Sequence, residues 1–198
     1  MNILEPSQLV FNGTELQLDQ LDLRTLQFLM PTFPRLNGQL AGRATLDSSW
    51  LDVRFQNADL THTDGSGPAT RMVGAGRVTF GENITTYDVA MTARPFSFTT
   101  FARAYTDGRI PLKGEYNGPI RLQGTTDDLS ITTDLRGPAG SLAYDGRVDS
   151  DSIGGYALNG VFTFANLDLR TLLDTAVTPV TSLNGSATVN VRFDSLFN

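Results

Sequence analysis

Cysteine is absent from this 198-residue chain, which excludes a disulfide framework, a thiolate metal site and a cysteine nucleophile. Histidine occurs once, as His62, and tryptophan once, as Trp50. A zinc site would therefore draw nearly all its ligands from carboxylates, an unusual composition. Basic residues are the minority charge: 15 Lys and Arg against 21 Asp and Glu, for a formal net charge of −6. Phosphate recognition needs a clustered positive footprint, so nucleic acid is not an expected partner. Docking on anionic head groups through basic residues is unsupported for the same reason. No apolar run approaches the roughly 18 residues of a membrane-spanning helix. The opening residues, MNILEPSQLVFNG, lack the basic start and apolar stretch of a secretory leader. In a segment of a longer chain, that lack carries no address.

What is present favours strands. Apolar residues make up 40% and charged residues 18%, enough for a folded core. The 19 glycines and 9 prolines come with many Thr, Leu, Phe and Val residues, a composition of strands and turns. Two markers then repeat. The first is LDLRTL at 21–26, echoed by FSFTTF at 96–101 and LDLRTL at 167–172. It reads as a helix start, with Asp22, Ser97 and Asp168 as N-caps accepting from the first-turn amides. Leu21 with Leu26, Phe96 with Phe101 and Leu167 with Leu172 form the hydrophobic-staple pairs. Pro31, Gly108 and Pro179 keep the helices short.

The second marker is LNGQLAGRATL at 36–46, LKGEYNGPIRL at 112–122 and LNGSATVNVRF at 183–193. From Leu36 to Leu112 is 76 residues and from Leu112 to Leu183 is 71; the caps are spaced 75 and 71. Two markers sharing one period define a repeat. Residues 1–20 read as the end of a preceding unit, 21–95 as unit 1, 96–166 as unit 2 and 167–198 as the start of unit 3. An excerpt from a longer array is the expectation.

Between markers the apolar residues alternate with period two, the signature of half-buried strands. Each unit is expected to hold one short helix and about four antiparallel strands. Because one strand face is apolar and the other polar, each sheet has a single face to cover, and two-turn helices are too short for that. Two solutions follow: a sheet curled into an elongated apolar groove, or tandem β-sandwiches. Gly38, Gly42, Gly114 and Gly118 fall on the apolar face, marking a sharp bend or a close approach by another chain or a ligand.

A catalytic set is not found, and no enzyme activity or cofactor is expected. His62 sits in THTDG beside a turn and reads as a turn residue before a general base. Asp127-Asp128 and Asp149-Ser150-Asp151 lack the graded oxygen spacing of a calcium loop and read as turn chemistry. The LxGxxxG pattern follows a helix and lies in a strand, the reverse of a phosphate-binding loop. Trp50 opens a strand and reads as packing.

The succession of capped short helix, LxGxxxGxxxL strand and meandering strands resembles the AsmA-like family, especially its TamB branch. The residues that carry it are LDLRTLQFLMPTFPRLNGQLAGRATLDSSW at 21–50 and the echoes beginning at 96 and 167. The resemblance implies a long protein anchored in the inner membrane of a diderm bacterium and crossing the periplasm. It implies a β-sheet bent into an apolar groove that carries phospholipid toward the outer membrane. It also implies a part in the assembly of outer-membrane barrels and secreted proteins. Acyl chains, neighbouring repeats of the same chain and barrel-assembly components are then the expected partners. In unit 1 the groove candidates are Leu40, Leu46, Leu51, Val53, Phe55, Val89 and Met91. In unit 2 they are Tyr116, Ile120, Leu122, Ile131, Leu158, Phe162 and Phe164. The competing readings are a β-template chaperone that pairs client strands through its sheet edge, and a stalk or adhesin of tandem β domains.

Overall fold

The computed structural model describes residues 9–29, 37–65, 67–106, 111–150, 156–173 and 177–193. Ten strands run in chain order: β1 (Val10–Asp22), β2 (Gln39–Ser49), β3 (Asp52–Thr63), β4 (Thr70–Phe80) and β5 (Thr85–Ser97), followed by β6 (Glu115–Thr125), β7 (Asp128–Gly137), β8 (Gly140–Ser150), β9 (Tyr156–Leu167) and β10 (Leu183–Phe193). Each pairs antiparallel with the next, giving one ten-stranded meander that does not close into a barrel. Strands of 10 to 13 residues are about twice the usual length and make the sheet about 35 Å across.

This single sheet overturns the tandem-sandwich alternative. Pairing of β5 with β6 runs from Thr86↔Thr125 to Ser97↔Glu115, straight across the boundary between units 1 and 2. Hydrogen bonding is as continuous between units as within them, so the repeat is a period in one sheet and not a chain of separate bodies.

Among the described residues three helices interrupt the meander: α1 (Leu23–Leu29), α2 (Phe98–Thr106) and α3 (Leu169–Leu172). They follow β1, β5 and β9, so the meander places all three at the same end of the sheet. The expected caps are present. Asp22 Oδ1 accepts from the Arg24 amide at 2.9 Å and Ser97 Oγ from the Thr100 amide at 3.2 Å. Asp168 Oδ1 accepts from the amides of Arg170 and Thr181 at 3.1 and 2.9 Å. Phe96 packs against Phe101 with centroids 5.6 Å apart, and Leu167 and Leu172 share one core, so two of the staples form. The Leu26 side chain, Pro31, Leu36 and Gly108 lie outside the described residues.

Pairing corrects one alignment. The staple residues Leu21, Phe96 and Leu167 face Leu40, Tyr116 and Leu183 across the sheet. Likewise Leu18, Ala93 and Phe164 face Gly42, Gly118 and Gly185. Gly185 is therefore the structural counterpart of Gly42 and Gly118, four residues from its place in the LNG alignment. The reason is conformational: that position takes a positive φ of 134, 152 and 147° in the three strands. Gly185 is the only glycine β10 can place there.

Candidate functional site

Register lines the apolar side chains up as ribs across the strands. One rib passes through Leu46, Phe55, Gly76, Val89, Leu122 and Ile131. It continues through Gly146 and Gly160 to Val189. A second joins Gly74, Met91, Ile120, Thr133, Tyr144, Phe162 and Ala187. A third carries Val53, Val78 and Tyr87 toward Leu129, Val148, Leu158 and Val191. Among the described residues no second layer lies over these ribs.

Burial without a covering layer shows curvature. Ala58 is 0%, Tyr144 6% and Met91 9% exposed, although all three lie in mid-strand. Leu46, Phe55, Leu60, Met72 and Val89, all from the sheet itself, pack around Ala44, Ala58 and Met91. A flat sheet would leave such residues open on one side; closing neighbours over them requires the sheet to curl toward its apolar face. Bulges supply the bend. Register shifts occur in the β1–β2, β2–β3, β3–β4, β5–β6 and β9–β10 pairs. In β3 the bulge sits at Asn57, with φ 50°, and it moves the apolar set from odd positions (Val53, Phe55) to even ones (Ala58, Leu60).

Glycines opposite aromatics make room on this face. A side chain at Gly76 would meet Phe55, and one at Gly146 or Gly160 would meet Tyr144. Tyr144 packs against Phe162 with ring centroids 4.6 Å apart and planes tilted by 35°, and its hydroxyl donates to the Asn159 carbonyl at 3.2 Å. Burial, and then the nearby Asp145 charge, raises its pKa. The aromatic rings thus spread over glycine backbone and widen the apolar surface instead of standing up from it.

One end of the face is shut. Phe98 of α2 and Leu172 of α3 pack with Ala93, Tyr116, Leu135, Ala139 and Leu167 into a core at the helix end. Tyr116 is 0% exposed and stacks on Phe98 at 4.5 Å between centroids. Burial raises its pKa, and the Ala139 amide lies near its hydroxyl without reaching hydrogen-bond geometry. The expectation that Tyr116 lines an accessible groove is therefore corrected: helix packing consumes it. Leu51 is displaced the other way. It lies in the two-residue turn between β2 and β3, 43% exposed, because β3 begins one residue later. The remaining candidates share the apolar face, and Leu40, Leu46, Val53, Phe55, Val89, Ile120, Leu122, Ile131, Leu158, Phe162 and Phe164 are half-buried there. Leu60, Met72 and Leu142 belong with them.

The opposite face is polar and carries Arg–Asp pairs across strands. Arg77 grips Asp52 with two hydrogen bonds of 2.6 Å, and Arg71 grips Asp59 with two of 2.7 Å. Arg147 repeats the first pair with Asp128 in unit 2. These hydrogen bonds hold the Asp52 carboxyl down to about 2. Sheet twist makes a saddle, concave in one direction on each face, and this face has a shallow depression of about 700 Å³ spanning β4 to β9. Val73, Ala90, Pro119, Ala143 and Val161 line it with Arg121, Asp134 and Asp145. Its polar groups are engaged locally: Thr132 with Asp145, Thr133 with the Pro119 carbonyl, Asp134 with Arg136.

His62 Nε2 donates to the Asn37 carbonyl at 2.7 Å. Asp128 is occupied by Arg147, and Asp151 lies outside the described residues. Among the described residues no three His, Asp or Glu converge on a metal position, and no helix is long and apolar enough to cross a membrane. No protein-family model matches the chain, and neither a curated protein nor a solved structure shows significant similarity to it.

Proposed function

We propose that the chain is a segment of a periplasm-spanning protein of the AsmA-like, TamB-branch kind. In this reading its apolar β face carries phospholipid between the inner and outer membranes in support of outer-membrane biogenesis. The parent protein would be anchored in the inner membrane of a diderm bacterium and work beside barrel-assembly components. The observation that carries the reading is the set of apolar ribs crossing the sheet with no layer over them among the described residues. Acyl chains lying along the curl would contact Phe55, Val89, Leu122, Ile131, Leu158 and Phe162 while head groups stay in water. Burying each methylene contributes about 0.8 kcal/mol, so ten half-covered methylenes yield roughly 4 kcal/mol with no polar anchor. That suits reversible sliding better than tight capture. No bond is made or broken, and no residue is catalytic.

The test is phospholipid binding. The purified chain should retain phospholipid detectable by mass spectrometry and should bind a fluorescent phospholipid. Phe162→Asp or Val53→Asp puts a charge on the apolar path and should abolish binding, because an unpaired carboxylate is strongly disfavoured against hydrocarbon. Thr163→Asp, one residue along and exposed on the polar face, should leave it unchanged. Equal binding by Phe162→Asp and the unsubstituted chain, with both folded, would sink the proposal.

A further inference from the structure

We infer that Asn37–Gly38 is a self-modifying site: the Gly38 amide nitrogen attacks the Asn37 side-chain carbonyl carbon, and His62 promotes the step by polarising the peptide bond between them. The inference stands apart from the lipid reading and gives a role to the single histidine, which that reading does not use. The chemistry consumes only water. The Gly38 nitrogen gives its proton to solvent, bonds to Asn37 Cγ and closes a succinimide ring, while the side-chain nitrogen leaves as ammonia. Water then adds to one of the two ring carbonyls and breaks its C–N bond, leaving aspartate or isoaspartate at position 37. Nothing is oxidised or reduced.

The chain holds five Asn–Gly pairs, beginning at Asn12, Asn37, Asn117, Asn159 and Asn184, and the fold treats them differently. Asn117–Gly118 lies inside β6 and Asn159–Gly160 inside β9, where ring closure has to wait for the ladder to open locally. The Gly13 amide is tied to Asp47 Oδ1 at 2.7 Å. The Asn184 carboxamide is tied through Oδ1, which accepts from the Asn166 amide at 2.9 Å. Asn37 and Gly38 precede β2 and fall outside the pairing that starts at Gln39. Asn37 is exposed, and among the described residues neither its carboxamide nor the Gly38 amide makes a hydrogen bond. Of the five pairs, this one leaves both reacting groups able to meet without unfolding a strand.

His62 supplies the activation. It is fixed in β3 opposite Leu40, and its Nε2 donates to the Asn37 main-chain carbonyl at 2.7 Å. Drawing electron density onto that oxygen makes the Gly38 N–H of the same peptide a better acid, because amide resonance links the two groups. The glycine itself is required. Its φ is 106°, and a Cβ there would collide with the Thr63 carbonyl. The reactive pair is therefore built into the junction between α1 and β2. The product matters at this place. The Gly38 carbonyl accepts from the Leu23 amide at 3.0 Å and ties α1 to β2. An isoaspartyl link inserts a methylene into the main chain immediately before that tie.

Timed incubation of the intact, folded chain in neutral buffer, followed by tryptic peptide mapping, tests this. Residues 36–43 form the peptide that carries Asn37 and residues 114–121 the one that carries Asn117, and chromatography resolves isoaspartate from aspartate. Asn37 should convert first among the five, at least about tenfold faster than Asn117 or Asn159, which react only from opened forms. His62→Leu should slow conversion of Asn37 about fivefold, the rate equivalent of one hydrogen bond. His62→Gln, which keeps a side-chain N–H, should recover most of that loss. A substitution that merely loosened the fold would speed Asn117 and Asn159, so a structural effect has the opposite sign. The inference is overturned if another pair converts as fast as Asn37, or if His62→Leu leaves the rate at Asn37 unchanged or raises it. It is overturned equally if His62→Gln behaves as His62→Leu does.

Discussion

Gly42 and Gly118 show most directly how a single residue controls this sheet. Each combines a left-handed backbone with a neighbouring carbonyl standing where a Cβ would go. Alanine at either position must strain φ and displace β3 or β7, so Gly42→Ala and Gly118→Ala should each lose about 2 kcal/mol or more in urea unfolding. Gly13 has φ 60° with open space around it, and Gly13→Ala should cost only the backbone strain of about 1 to 2 kcal/mol. The polar face makes a different residue-level prediction. Arg77 hydrogen bonds hold Asp52 at about 2 against 3.8 for an ordinary Asp, with Thr79 and Ser48 adding to the effect and burial opposing it. A carboxyl with a depressed folded-state pKa stabilises fully above its unfolded value, and the contribution fades as pH falls from 3.8 toward 2. Carboxyl-carbon NMR should therefore place the Asp52 midpoint near 2, and Arg77→Gln should move it back up. The caps were legible as Asp or Ser before an apolar residue, because capping is local. The Arg–Asp pairs were not, since their partners lie 25, 19 and 12 residues apart and meet only through strand register.

At the scale of elements, the helices matter for where they sit. α2 and α3 are too short to cover the sheet, but they close one end of it through Phe98 and Leu172, 9% and 8% exposed. Phe98→Ala should destabilise the chain by about 3 kcal/mol and Leu172→Ala by about 2, read as lower urea midpoints. Both should weaken phospholipid binding by the folded protein less than Phe162→Asp does, because Phe162 lies outside the helix-end core, although its rib neighbour Ile120 packs against it. The β3–β4 connection braces α2: Thr100 Oγ1 donates to the Pro68 carbonyl at 2.6 Å, and Ser97 and Thr100 are buried around it. Strand identity was readable from period-two alternation. The bulge at Asn57 was not, because an inserted residue leaves no mark in composition and shows itself only as a parity change between Phe55 and Ala58. The register of β10 was misread for a related reason. Sequence similarity aligned its first glycine with Gly38 and Gly114, whereas pairing with Phe164 puts it with Gly42 and Gly118.

For the whole molecule, an open sheet has a measurable signature. The chain exposes 12140 Å², about a third more than the roughly 9,200 Å² of a compact monomer of its mass. Its contacts link each strand to its neighbours, so stability should behave as a sum of adjoining interfaces. Excising residues 96–166 would expose β6 and β9, both paired on two sides in the full chain. The fragment should show little near-ultraviolet circular dichroism and a broad, weakly cooperative unfolding curve. A sharp transition equal to that of the full chain would mean that the units fold alone.

The sequence by itself determined the strand content, the period of 71 to 76 residues, the helix caps and which side chains are apolar, because each of these is written in local composition and spacing. Only the tertiary structure decided that the units merge into one sheet and that Tyr116 is consumed by the helix-end core. It alone set Leu51 in a turn and β10 four residues from its aligned place. Those outcomes depend on which backbone groups pair across distances of tens of residues, and pairing is set by bulges and glycine conformations that no single strand specifies.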